Sequence, residues 1–469
     1  MPVRPVLTVL VLFVGAAVAP GRGEETTVHY AVAVSHATLR QSDWKKVVDA
    51  LAAKHHGQVV AYDRLSQAQA ELTRLRPRYA CFVATPAETT RDFVADVHRL
   101  TRRLDDDPYT DVLWGILTGY DADCALRIAR HKEPLVIHRV AAGTEVELSL
   151  CDEGVWYCEL NQGKMVRKEH GKTPEQQKGP ADTTRALVET LNGYKAQLFV
   201  TSGHATERDW QIGYRYRNGQ FRCQDGQLFG LDTKGQRFPV QSDNPKVYLP
   251  VGNCLMGHVD GPQAMALAFM KSAGVHQMVG YTVTTWYGYA GWGMLDYFVE
   301  QPGRFTLAEA FFANQQALLH KLQTERPQDP RKDPKPGTSG NGLLYDRDVL
   351  AFYGDPAWEA RMKPGECAWD QVLTEKGGRY TLLITPRRGE KSFLPINTNG
   401  SQRGGRPIVA LLPHRVKDVR LLEGQDLKPV VTDDFLLVPL PDKCELGRVY
   451  KVVFQADRVK GLPVPATIP

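Results

Sequence analysis

"LFVTSGHATERDW", residues 198–210, decides the fold. An apolar, β-branched run (Leu198, Phe199, Val200, Thr201) stops at Ser202-Gly203, and His204 follows at once. Further on, "VYLPVGNCLMG" (247–257) repeats the pattern: an apolar run ends at Gly252-Asn253 and displays Cys254. In an α/β sheet, ligands and catalytic groups gather at the carboxyl ends of the strands. Two such strands lying side by side would set one thiol against one imidazole. An adjacent imidazole favours or generates the thiolate, which is the nucleophilic form of cysteine. Gly203 and Gly252 permit tight turns, and the N–H groups just past each turn are free to bind an oxyanion. Taken singly, a histidine is usually a satisfied core residue and a cysteine a small hydrophobe. The matched context of both brings the catalytic reading level with those alternatives. "CLMGH" (254–258) also offers Cys254 and His258 to a metal, but no second ligand pair sits nearby at useful spacing, so no zinc site is expected.

Outward from this pair the pattern alternates. "VHYAVAVS" (28–35) reads as a strand, and "SDWKKVVDALAAKHH" (42–56) as a helix with Ser42 as N-cap. Strand-like "GQVVAYD", "YACFVAT" and "DVLWGILTG" then alternate with helical "LSQAQAELTRLR", "TTRDFVADVHRLTRRL" and "ADCALRIAR". Such alternation argues a mostly parallel sheet with helices on its faces. Residues 144–168 read as a β-hairpin excursion. A second α/β run begins near 182 and ends in the helical "LAEAFFANQQALLHKLQTE". "RPQDPRKDPKPGTSGNG" (326–342) reads as a surface loop or linker, and its "SGNG" lacks the Lys-Ser/Thr partner of a phosphate loop. Past 365, short strands separated by turn signals predict a small β-sandwich.

The bulk properties agree. At 469 residues the chain is too long for one ordinary domain, and 42% hydrophobic with 24% charged residues is the balance of a globular protein. A formal charge of +5, with no Lys/Arg stripe among aromatics, gives no reason to expect a nucleic-acid partner. Arg4, the apolar run 6–19 and the small residues after it read as a secretory signal peptide, too short for a comfortable membrane span. The expectation is a secreted or periplasmic protein without stable membrane insertion once the leader is removed. Export favours disulfides among the eight cysteines, and Cys151 and Cys158, flanking "DEGVWY", are the best candidate pair. "DDDPYTD" (105–111), the most acidic stretch, reads as a solvated turn.

Four blocks carry a family resemblance. "TSGHATERDW" resembles the histidine block of the gingipain-type cysteine peptidases, family C25 of the caspase-like clan CD, and "VGNCLMG" resembles their cysteine block. "MVGYTVTTWYG" (278–288) is similar to the strand and tryptophan turn that follow. "LAFYGDPAWEAR" (350–361) is similar to the block closing their catalytic domain. Asp355 of that block is expected to be a turn residue satisfying backbone donors.

The resemblance implies a caspase-haemoglobinase-like, mostly parallel sheet flanked by helices, followed by a small immunoglobulin-like β-sandwich. It divides the chain into a leader (1–23), an N-terminal α/β subdomain (24–180), a catalytic α/β subdomain (181–364) and the sandwich (365–469). It implies an exported cysteine endopeptidase acting on protein or peptide substrates, with Cys254 as nucleophile and His204 as general acid/base. The backbone N–H groups of Cys254 and Ala205 would form the oxyanion hole, Trp286 a wall of the substrate pocket, and Glu207 a support of the histidine loop. No cofactor is required, and structural calcium is allowed. Ala205 stands where the family has Gly, and Asn253 where it has a small residue. The acid that gives some members their preference for basic side chains falls outside the blocks, with Asp152, Glu153 and Asp225 as candidates. The alternative is a catalytically inactive gingipain-like binding or assembly module. A structural exported protein with a disulfide-bonded Cys254 is the reading from another class.

Overall fold

The computed structural model describes residues 29–328, 332–441 and 443–459, so the leader expected over 1–23 lies outside the described residues. The apolar runs form strands, as their β-branched content favours. In the first half these are β1 (Tyr30–Ser35), β2 (Gln58–Tyr62), β3 (Tyr79–Val83), β4 (Leu113–Leu117), β5 (Arg139–Ala142), β6 (Glu153–Tyr157), β7 (Lys164–Lys168) and β8 (Glu175–Lys178). In the second half they are β9 (Leu198–Thr201), β10 (Lys246–Pro250), β11 (Val275–Tyr281) and β12 (Leu350–Tyr353). All belong to one 12-stranded sheet in the order β2-β1-β3-β4-β12-β11-β10-β9-β5-β6-β7-β8. Its pairings are parallel except β11 with β12 and the β6-β7-β8 meander. The hairpin expected within 144–168 therefore belongs to the sheet, joined to it by the parallel pairing of β6 with β5.

The helices follow the predicted apolar spacing. In α1 (Ser42–His55), Trp44, Val47, Val48 and Leu51 face the core. Ser42, expected as its N-cap, lies inside the helix, and Gln41 with extended backbone holds the cap position. α2 (Ala68–Leu75), α3 (Arg91–Thr101), α4 (Ala122–Arg130), α5 (Thr184–Asn192), α6 (Met265–Ser272) and α7 (Tyr289–Met294) come next along the chain. The last of this series, α8 (Leu307–Glu325), opens on a capping box between Thr306 and Glu309 and packs on β4 and α7. No helix among the described residues is long and apolar enough to cross a membrane. Residues 326–328 and 332–341 carry no helix or strand.

Two larger features also differ from the sequence reading. Between His204 and β10 the chain builds a four-stranded antiparallel sheet (Asp209–Gln211, Gln220–Gln224, Gln227–Leu231, Arg237–Pro239), which the reading left unassigned. Its Trp210 and Phe221 are fully buried and pack on Phe199 of β9. Second, Cys151 and Cys158 are both free thiols, as are the other six cysteines. The extended strand β6 lies between them and rises about 3.3 Å per residue, which separates them far beyond disulfide reach.

The C-terminal strands β13 (Trp369–Lys376), β14 (Arg379–Pro386), β15 (Ile408–Leu411), β16 (Val416–Glu423), β17 (Val430–Val431), β18 (Phe435–Val438) and β19 (Tyr450–Arg458) form two antiparallel sheets. Their orders are β13-β14-β19-β16 and β15-β18-β17. Phe435 seats this unit on the rest of the molecule, meeting Tyr109 and Phe312 edge-on at 5.2 and 5.8 Å.

Candidate active site

β9 and β10 are parallel neighbours with Thr201 opposite Pro250, so both chains leave the sheet at the same edge. Past Thr201 the backbone turns at Gly203, whose φ of +101° disfavours any side chain. Asn253, the departure noted before the cysteine, is completely buried. Its Oδ1 accepts from Thr201 Oγ1 at 2.6 Å and its Nδ2 donates to the Gly203 carbonyl at 3.1 Å. One side chain thus ties the histidine-bearing strand end to the cysteine-bearing one.

Cys254 sits on a strained turn. Leu255, the next residue, has φ of +58°, a left-handed conformation that costs a non-glycine residue roughly 1–2 kcal/mol. Two backbone bonds hold it there, from Leu255 N–H to the Val283 carbonyl (2.9 Å) and from Gly257 N–H to the Tyr281 carbonyl (2.8 Å). The half-buried Cys254 thiol accepts from the Thr285 N–H at 3.2 Å, and Thr285 Oγ1 donates to the Asn253 carbonyl at 3.0 Å.

His204 is exposed, and its ring stacks on Tyr214 at 4.7 Å. Its carbonyl accepts from Gln211 N–H at 2.9 Å, and buried Trp210 donates through Nε1 to the Ser202 carbonyl at 2.8 Å. The antiparallel sheet after β9 therefore fixes the histidine turn from behind. Among the described residues no hydrogen bond joins the Cys254 thiol to the imidazole, and neither Ala205 N–H nor Cys254 N–H donates to a protein acceptor.

Glu207 takes part through its backbone, accepting from the Met265 N–H at 2.8 Å and so linking the histidine loop to α6. Trp286 is 56% exposed and meets Tyr345 edge-on at 5.3 Å, so it stands in solvent and does not pack against the sheet edge. His258 is not joined to Cys254. Burial, then the charge of Arg91, lowers its pKa, and among the described residues its buried Nδ1 has no partner.

The structure places none of the three acidic candidates at this edge. His138, His170 and Lys363 each reach Asp152 at 2.9 Å, and these bonds outweigh its desolvation to hold its carboxyl at about 2. Glu153 begins β6, at the opposite end of the sheet. Asp225 lies in a hairpin turn with its carboxylate taken by Gln263 at 3.1 Å. The acid at the site is Glu159, which the sequence reading missed. It follows the carboxyl end of β6, at the same edge as His204 and Cys254. Its Oε1 accepts from Thr144 Oγ1 (2.6 Å) and Ser202 Oγ (3.3 Å), and its carbonyl from Tyr214 N–H (2.6 Å). It is 6% exposed, and among the described residues its buried Oε2 has no hydrogen-bond partner. A carboxylate oxygen shielded from water and from donors costs free energy that a cationic ligand would recover. The sequence signal was available: "VWYCE" is another apolar run that ends and presents a chemical side chain.

Calcium calls for oxygen ligands, and Asp105, Asp107 and Asp111 bring one carboxylate oxygen each within 4.8 Å of one another, a set that fits a hard cation in kind. The stretch is more buried than a solvated turn. Desolvation, then neighbouring carboxylates, raises Asp107 to about 6 and Asp111 to about 10. The N–H groups of Leu104, Asp107 and Tyr109 already bond these carboxylates, and Arg415 of the sandwich donates to the Asp111 carbonyl.

In comparisons with known proteins, no family model matches the chain and no curated protein matches it. Among solved structures, one described as "Structure of Protease" aligns over 92% of this chain and 98% of that chain, at 10% identity and a TM-score of 0.40.

Proposed function

We propose that this chain is a cysteine endopeptidase in which Cys254 attacks the scissile carbonyl and His204 manages the protons. The observation that carries the reading is the parallel pairing of β9 with β10, which delivers both residues to one edge of the sheet. In the first half-reaction the Cys254 thiolate bonds to the carbonyl carbon and the C–N bond breaks. The imidazolium of His204 gives its proton to the leaving amine, leaving a thioester. Water then attacks the thioester with His204 as base, releasing the acid and restoring the thiol. The uncommitted N–H groups of Cys254 and Ala205 are the donors for the oxyanion. Trp286 walls the pocket, and Glu159 favours a cationic side chain before the cut. The resemblance of the four sequence blocks to gingipain-type peptidases supports this reading, and the leader-like residues 6–19 make it an exported enzyme in this proposal.

A second reading keeps the fold without turnover, as a binding module. It is favoured by the stacking of His204 on Tyr214, since among the described residues the thiol is bonded to Thr285 and not to the imidazole. A fluorogenic peptide library, cleaved by wild type and by Cys254→Ala, tests the first reading. Cleavage that survives in the variant overturns it. Labelling with a peptidyl acyloxymethyl ketone separates the two, since an assembled nucleophile is alkylated and a dead one is not.

A further inference from the structure

We propose that the C-terminal sandwich supplies part of the substrate site: the connection between β14 and β15, residues 387–407, is a wall of the subsite around Glu159, and Asn399 is its specificity-shaping residue. The proposal takes the role of Glu159 from the peptidase reading and adds a second structural unit to it.

Three observations carry it. First, the connection is anchored by buried charge. Arg403 Nε and Arg406 Nε reach the two oxygens of Asp296 at 2.6 and 2.9 Å, Gly404 N–H donates to the same carboxylate at 3.1 Å, and Arg403 also pairs with Glu300. The Arg406 guanidinium lies 3.4 Å from the Tyr289 ring centroid and donates to the Tyr289 carbonyl at 2.9 Å. A connection between two sandwich strands needs no such anchorage. Desolvating several charges to fix a loop is understandable where its geometry must be held for a ligand.

Second, the loop and the nucleophile turn share one aromatic ring. A Cβ on Gly400 would fall 2.3 Å from Trp292, and a Cβ on Gly252, two residues before Cys254, would fall 2.9 Å from the same indole. Both strand end and loop are glycine where they meet Trp292, so backbone approaches the ring closely from each.

Third, Asn399 reaches the carboxylate itself. Its Nδ2 lies 3.1 Å from Thr144 Oγ1 and 3.4 Å from Glu159 Oε1, while its carbonyl accepts from Arg403 at 3.0 Å and its N–H donates to Asn397 Oδ1 at 2.7 Å. Asn399, Thr144 and Ser202 all address Oε1, and among the described residues Oε2 has no donor. This arrangement orients the carboxylate through Oε1 and leaves the buried Oε2 as the acceptor that an alkylguanidinium or alkylammonium group would take.

The test is calorimetric titration of the full chain with agmatine, a guanidinium probe whose binding does not depend on the Cys254 thiol. Wild type binds it, and Glu159→Gln lowers affinity by tenfold or more. Asn399→Ala, which admits water to the carboxylate, lowers it at least fivefold. Gly400→Ala, which drives the loop off Trp292, does the same while the protein still melts cooperatively. Binding that Glu159→Gln abolishes but both loop variants leave unchanged or tighter overturns the role of the loop. Failure of wild type to bind overturns the subsite altogether. Neither result bears on whether Cys254 cleaves peptides, which the Cys254→Ala comparison decides separately.

Discussion

Gly252 stands so close to Trp292 that a Cβ built on it would fall 2.9 Å from the indole Cζ2 and 3.0 Å from Ser202 Cβ. Neither neighbour can yield cheaply, because Trp292 is 6% exposed and Ser202 5% exposed. Gly252→Ala is expected to push the cysteine turn outward. Overpacking of this kind costs about 1–3 kcal/mol. On the proposed peptidase reading the larger effect is on catalysis, with kcat/KM expected to fall by tenfold or more while the thermal midpoint moves by a few degrees. An alanine variant of full activity would show that the turn tolerates displacement.

Asn253 joins the two strand ends through Thr201 and the Gly203 carbonyl. Asn253→Ala leaves a buried hydroxyl and a buried carbonyl short of partners, a loss of about 1–3 kcal/mol. Peptide cleavage should drop by one to two orders of magnitude. The check is kcat/KM beside the rate at which iodoacetamide alkylates Cys254. A variant that labels normally but cleaves poorly places the defect in the relation of His204 to the thiol.

Glu159→Gln is expected to reduce cleavage after arginine or lysine by about a hundredfold and to leave cleavage after neutral residues within a fewfold of wild type. Loss of one charge-assisted contact accounts for that scale. Equal losses on charged and neutral substrates would assign Glu159 to the scaffold.

Asp355 predicts an acid limit. It lies 1% exposed, with Lys54 at 2.9 Å, His55 at 2.7 Å and the Tyr30 hydroxyl donating at 2.8 Å. Desolvation opposes its charge, but the His55 bond and the Lys54 charge prevail and hold its carboxyl at about 2. The folded value lies below the unfolded value of about 3.9, so this carboxylate stabilises the protein above pH ~4. Its contribution, on the order of 2 kcal/mol, is lost as pH falls towards 2. Asp355→Asn should lower stability at pH 7 by about 3 kcal/mol or more, because it strands a buried lysine. It should also flatten the acid limb of the melting curve between pH 4 and 2. An unchanged limb would assign acid lability to other carboxylates.

Asp296→Asn removes the anion shared by Arg403 and Arg406. Breaking buried pairs of this kind costs about 3–5 kcal/mol. Limited proteolysis should then cut within 397–405 first, and a digestion pattern like that of wild type would speak against the anchoring role.

Much of this architecture was legible in the residues. Leu198–Thr201 and Lys246–Pro250 announce themselves as strands because parallel strands buried on both faces read as continuous apolar runs. Helix α8 follows its sequence pattern to the residue because its cap and its apolar content agree. What stayed hidden depends on tertiary placement. The strands after Trp210 are short and polar on one face, and their order comes from packing on Phe199. The apolar run before Glu159 marks a strand end, but only the sheet order, which puts β6 near β9, brings that acid to the edge of His204 and Cys254. Asp355 satisfies the Ala357 N–H as its turn requires, but its salt links to α1 span the whole sheet-forming chain and leave no local trace. Cys151 and Cys158 misled for a related reason: proximity in sequence is not proximity in space when the intervening residues are extended.

The insertion of β12 between β4 and β11 bears on how the molecule is made. Residues 350–353 come late in the chain, yet they fill the middle of the sheet and separate strands made long before. Until they emerge from the ribosome, β4 and β11 each present an unpaired edge, the kind of surface through which nascent chains misassemble. Closing the centre last also means bringing together segments more than two hundred residues apart, which makes for slow, high-contact-order folding. A fragment ending before Leu350 would therefore lack the strand that joins its two halves, and truncation from the carboxyl end should remove the central sheet's cohesion well before it reaches Cys254.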